Sequence, residues 1–208
     1  MIMLKKLTKL LSTLILVHLL TLETKQLYSE EIFKLDDNCL AYRTEETILL
    51  FIDSIVVGKT CEISTQVYNE AGNTKFIVTF PINSLDSGLE IRDKDVMEML
   101  SVESNSHISF FSDFLSAEQI SEALTLGKIN LGGMLEIAGM SYKVNFPLKL
   151  EEYSGKWLVT GIFVSSLSKF GLELPSVFGG IIADTRDYLE LHVHLRFILV
   201  QGMPEFNS

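Results

Sequence analysis

From about residue 60 onward apolar and polar residues alternate, the period-two pattern of strands whose successive side chains point to opposite faces. In "KFIVTFPIN" the row Phe76, Val78, Phe80 and Ile82 is uniformly apolar, and Pro81 cannot donate a ladder hydrogen bond, so it belongs at an edge, a bulge or the strand's end. "KINLGGMLEIAGMSYKVNFPLKL" predicts a hairpin. Ile129, Leu131, Leu135 and Ile137 share one face of its first arm, and Tyr142, Val144, Phe146, Leu148 and Leu150 share one face of its second. Gly139 lies in the turn, where a positive φ is often required. "YLELHVHLRFILV" sets Leu189, Leu191, Val193, Leu195, Phe197 and Leu199 against Glu190, His192, His194 and Arg196. Weaker strands are expected over 32–43, 47–57, 60–68, 107–112 (with Ile108 and Phe110 in one row) and 156–165, and "NEAGN" and "EEYSGKW" read as turns.

Two stretches break the alternation. "RDKDVMEML" places Val96, Met97 and Leu100 at helical spacing, with Asp93 and Asp95 near the start, where carboxylates favour the helix dipole. "SAEQISEAL" opens on Ser116 with Gln119 three residues later, a capping-box pattern, and repeats Ile120 and Leu124 one turn apart. Eight or nine strands of regular length with one apolar row apiece, joined mostly by short turns, point to an all-β antiparallel barrel or sandwich carrying one or two short helices.

The first residues are organised differently. Lys5, Lys6 and Lys9 precede an apolar run from Leu10 to Leu22, too short for the ~20 residues of a membrane span but suited to a secretory signal. Residues 1–29 are therefore expected to be a signal peptide or, uncleaved, an N-terminal anchor. Residues 30–200 form the domain and 201–208 a tail.

At 208 residues and 47 % hydrophobic the chain suits one domain, which at this size buries roughly 70 % of its unfolded surface and needs no metal to hold a core. The chain has 17 basic and 27 acidic residues; without residues 1–29, which hold four Lys and one Glu, 13 and 26 remain and the net charge is −13. Phosphate backbones repel such a surface, so nucleic acid is excluded as a partner. Cys39 and Cys61 are either a disulfide closing a loop of about twenty residues, worth ~3 kcal/mol in the loop-entropy model, or two small buried hydrophobes.

The ordered set "FPINSLDSGLEIRDKDVMEML", "HISFFS", "GGMLEIAGMSYKVNFPLKL", "SKFGL" and "RDYLELHVHL" resembles the YceI-like polyisoprenoid-binding family. In it Ile82, Ser84, Gly88, Arg92, Asp93, Leu100, Gly133, Gly139 and Lys143 take matching places. The resemblance covers about Phe76 to Leu195. It implies an eight-stranded, lipocalin-like antiparallel β-barrel in the bacterial periplasm, membrane-tethered if the N-terminal segment stays. It further implies an apolar cavity for an isoprenoid lipid of the polyprenyl phosphate or quinone type, exchanged with membrane components as donor and acceptor, and no catalytic residues or cofactor. Eight strands enclose a lumen wide enough for one small ligand, in agreement.

The candidate lipid-binding residues are the apolar rows Phe76, Val78, Phe80, Ile108, Phe110, Leu131, Leu135, Ile137, Val144, Phe146, Leu189, Leu191, Val193, Leu195 and Phe197. Composition alone does not separate a cavity from a packed core. Arg92 and Lys169 are the candidates for an anionic head group. His107, His192 and His194 are the histidines outside the first 29 residues, and no Gly-x-Ser-x-Gly motif or phosphate loop accompanies them, so no enzyme is read here. The alternative is an interaction or metal-buffering module on the face of Glu190, His192 and His194. That face is expected on the solvated outside, beside a cationic Arg196 that opposes a divalent ion.

Overall fold

The computed structural model describes residues 32–49, 52–174, 176–177, 183–200 and 203–206. The chain divides into two units, Met1–Leu35 and Asp36–Ser208, and the β-domain is the second. The expected signal or anchor, residues 1–29, lies outside the described residues.

In chain order the domain runs β1 (Cys39–Ile48), β2 (Ile52–Thr60), β3 (Ser64–Glu70), β4 (Asn73–Pro81), α1 (Glu90–Met99), β5 (His107–Ser112), β6 (Leu115–Ser116), α2 (Ala117–Leu126), β7 (Lys128–Ile137), β8 (Met140–Tyr153), β9 (Lys156–Ser165), β10 (Ser176–Val177), β11 (Ala183–Thr185), β12 (Leu189–Val200) and β13 (Met203–Phe206). Hydrogen-bonded neighbours follow the order β2-β1-β12-β9-β8-β7-β5-β4-β3, all antiparallel, so the nine long strands make one sheet curled into a lipocalin-like half-barrel. Residues expected to trail off as a tail instead add β13, with Phe206 opposite Phe197.

Register brings the apolar rows onto one face. Val78 lies opposite Phe110, Phe110 opposite Leu135, Leu131 opposite Phe146, and Leu191 opposite Phe163. Cross-strand partners point the same way, so the period-two rows of separate strands fuse into one concave apolar wall. Gly133 makes room for it: a Cβ there would come within 2.7 Å of the Phe110 ring and 2.3 Å of the Phe111 carbonyl oxygen.

Among the described residues β2 and β3 form no ladder with each other. The chain beyond β4 spans that edge instead. Lys59 and Asp86 exchange two backbone hydrogen bonds of 2.9 Å, and the Thr60 and Ser84 hydroxyls lie 2.6 Å apart. Near the same corner Cys39 and Cys61 form a disulfide, so of the two sequence readings the cross-link is the one present.

Both helices form where the sequence breaks its alternation. Ser116 Oγ accepts from the Gln119 N–H, and the Gln119 side chain accepts from the Ser116 N–H, completing the expected capping box at α2. At α1 the start is held from inside, the Asp93 carboxylate accepting from the Ser87 N–H and hydroxyl. α1 follows the Pro81 end of β4, whereas β6, which leads into α2, pairs with Asn73 and Thr74 at its other end.

Candidate functional site: an apolar cavity

The concave face is not filled. It encloses a cavity of about 1040 Å³, at the upper end of the size range of small-molecule sites. Of the fifteen apolar residues read from the sequence as a lining, all but Val144 line it. Val144 points to the same side but is packed into the core at 2 % exposure. α1 contributes Val96 and Met99, and α2 contributes Ile120, Ala123 and Leu124, so the helices close the cavity from opposite ends of β4. The cavity reaches solvent where its lining does, at Leu89, Ile91 and Leu174, each more than 40 % exposed.

The wall packs ring against ring where it is aromatic. Phe146 sits between Phe110 and Phe163 with ring centroids 5.2 and 5.1 Å away, and Trp157 stacks on Phe197 at 6.0 Å. The "SKFGL" segment is a 3₁₀ turn that packs Phe170 into the core at 1 % exposure. Its Ser168 N–H and hydroxyl donate to Asp187 at 2.8 and 2.5 Å, and these bonds lower the Asp187 carboxyl below its ordinary range.

Polar groups collect at one place. Among the described lining residues the charged ones are Glu46, Arg92, Asp95, Glu98 and Glu173. Arg92 Nη2 meets Glu46 Oε1 at 3.3 Å, with the Glu46 side chain 13 % exposed. Tyr42 reaches the same corner from β1. Burial, followed by the Asp93 charge, pushes its phenol up to about 12. Of the two head-group candidates, only Arg92 is at the cavity. Lys169 does not line it; its ammonium lies 5.8 Å from the centre of the Phe163 ring.

On the convex face the expectation of a solvated histidine row is overturned. His192 and His194 are only 6 % and 8 % exposed. They lie in register between β1 and β9, His192 beside Ala41 and Ile162 and His194 beside disulfide-bonded Cys39 and Thr160. Further along, Asn38 Oδ1 accepts from the Arg196 N–H and the Arg196 guanidinium pairs with Asp36 at 3.1 Å. His192 Nε2 is 2.7 Å from Glu190 Oε2, and Glu190 also accepts from Tyr188 Oη and from Arg43 at 2.8 Å. Burial raises the Glu190 carboxyl, but these hydrogen bonds and the Arg43 charge together leave it below its ordinary value. Among the described residues no group of three or more ligand side chains is placed to hold a metal ion.

Sequence reasoning missed the contribution of β1. Its inward row Leu40, Tyr42, Thr44, Glu46 and Ile48 mixes apolar, hydroxyl and acidic groups, so it gives no clean alternation signal. Leu167 and Leu172, which flank the 3₁₀ turn and also line the cavity, lie outside any periodic segment.

Residues 44–197 match the YceI-like domain family, well over half of the chain, and the chain belongs to that family. No curated protein matches it. Several solved structures are similar in fold. Burkholderia cenocepacia BcnA has a TM-score of 0.56 at 16 % identity, over 76 % of this chain and 95 % of BcnA. A polyisoprenoid binding domain from Saccharophagus degradans has a TM-score of 0.57 at 12 % identity, over 77 % and 94 %. The Campylobacter jejuni YceI protein has a TM-score of 0.53 at 14 % identity, over 72 % and 85 %.

Proposed function

We propose that this YceI-like chain is an exported carrier that sequesters an isoprenoid lipid, of the polyprenyl phosphate or quinone type, in its cavity. The observation that carries the reading is the cavity itself: about 1040 Å³ of space walled by aliphatic and aromatic side chains on a sheet that could have packed solid. Each buried CH₂ contributes about 0.8 kcal/mol, so several isoprene units are held without any specific polar contact. The polyisoprenoid binding domain among the similar structures supports the choice of ligand class.

In this reading the protein holds its cargo by burial and does no chemistry on it. Export agrees with the Cys39–Cys61 disulfide, a bond that persists in oxidising compartments, and with the signal-like start of the chain. In this reading the protein works in the periplasm, soluble after signal cleavage or tethered without it, and exchanges lipid with membranes.

Native mass spectrometry of the full chain produced with its own N-terminus in a Gram-negative host tests the proposal. The expected result is a periplasmic protein carrying an apolar ligand that extracts into organic solvent and fragments as an isoprenoid. An empty protein that also refuses added farnesol and ubiquinone overturns it.

A further inference from the structure

The mouth of the cavity has a charge of its own. Five charged side chains are among the described lining residues, four acids (Glu46, Asp95, Glu98, Glu173) against one cation (Arg92). That cation is already committed, since its guanidinium is paired with Glu46 at 3.3 Å. Glu46 is the more enclosed partner, at 13 % exposure against 28 % for Arg92. Asp95 and Glu98 come from α1, beside Arg92, and Glu173 from the segment after the 3₁₀ turn, so two separate stretches of chain bring carboxylates to the lining.

An anionic head group placed here has to displace Glu46 from Arg92 and meets three further carboxylates. Asp95, Glu98 and Glu173 are exposed and oppose an anion through a field that salt screens, whereas Glu46 is largely withdrawn from water, where like charges repel more strongly and a carboxylate displaced from its partner is costly. An uncharged head leaves the pair intact, and a cationic head gains from the surplus of acids. We infer that the mouth selects against anionic heads, so that the cargo is an isoprenoid with an uncharged or cationic polar end, and that Glu46 is the residue that decides it. This rests on the carrier reading and narrows it. Of the two cargo types, the quinone fits and the polyprenyl phosphate does not.

Three probes with one tail isolate the head: farnesol, farnesylamine and farnesyl phosphate, each displacing Nile red from delipidated protein at neutral pH and low salt. Farnesyl phosphate is expected to need at least a tenfold higher concentration than farnesol. The ratio should shrink as salt is added, because exposed rim charges are screened. Glu46→Gln should reduce the ratio several-fold, and Asp95→Asn and Glu173→Gln should each reduce it even if the first variant folds poorly. Glu136→Gln, which removes the same charge from an exposed position outside the lining, should leave the ratio unchanged. Farnesyl phosphate competing as well as farnesol, or a ratio that ignores all three rim variants, overturns the inference while the carrier reading stands. A protein that binds neither Nile red nor any of the three probes overturns both.

Discussion

Tyr42 on β1 lies directly over its cross-strand partner Gly58 on β2: a Cβ added to Gly58 would fall 2.2 Å from Tyr42 Cε1 and 2.6 Å from the phenol oxygen. The glycine is there for space. Gly58→Ala should drive the Tyr42 ring out of its place between β2 and the cavity mouth, at a cost on the order of 1–3 kcal/mol, as for other overpacked sites. Urea unfolding of the two single variants and of Gly58→Ala with Tyr42→Ala checks this. The Gly58→Ala cost should largely vanish when the ring is absent, and full additivity would show that the contact is not the cause.

The same tyrosine makes stability depend on pH at the alkaline end. Its phenol is raised from 10.0 to about 12 in the folded protein, first by burial and then by the Asp93 charge. Between those values the unfolded chain has lost the proton that the folded one keeps, so unfolding releases a proton and becomes easier as pH rises. The wild type should therefore lose stability from about pH 10 to about pH 12 more steeply than Tyr42→Phe. Parallel thermal melts over that range measure the difference.

Leu191 stands mid-strand on the cavity side of β12. In a packed core a Leu→Trp change costs about 1–3 kcal/mol, but here the larger ring has a void to enter. Leu191→Trp should melt within a few degrees of the wild type and bind Nile red at least several-fold more weakly. Strong destabilisation with binding retained would mean that this part of the wall is solid.

The disulfide joins the start of β1 to the residue just after β2, at a sequence separation of 22. Reduction, or Cys39→Ala with Cys61→Ala, should lower unfolding free energy by ~3 kcal/mol, because the open chain regains loop entropy. Chemical denaturation with and without reductant reads it. The cavity walls lie on other strands as well, so probe binding by the folded fraction should persist.

Much of the domain is legible in the residues because its signals are local. The capping box at Ser116 and Gln119, the Gly139 turn and the rows Leu131–Ile137 and Val144–Leu150 each specify their element within a dozen residues, and the structure has them. Helix α1 begins two residues earlier than the Arg92 start read from its pattern, and β1 ends five residues later than the expected Arg43. Boundaries of this kind depend on what the chain packs against. Lys169 and Arg92 were equivalent as sequence, each a cation near an apolar segment. Only the fold sends one to the cavity and the other to the ring of Phe163.

The order of residues alone sets which side of each strand is apolar, because side chains alternate with a fixed period whatever the strand's neighbours are. It did not determine whether the joined apolar faces would meet in a solid core or stand apart, nor whether His192 and His194 would be wet. Both depend on curvature and on neighbours distant in the chain. β1 and β9 flank the histidines from more than a hundred and about thirty residues away, and two helices near opposite ends of β4 complete the lining of the cavity. Likewise Glu46 and Arg92, 46 residues apart, become a pair only once β1 and α1 are brought together, and that pairing gives the mouth its charge.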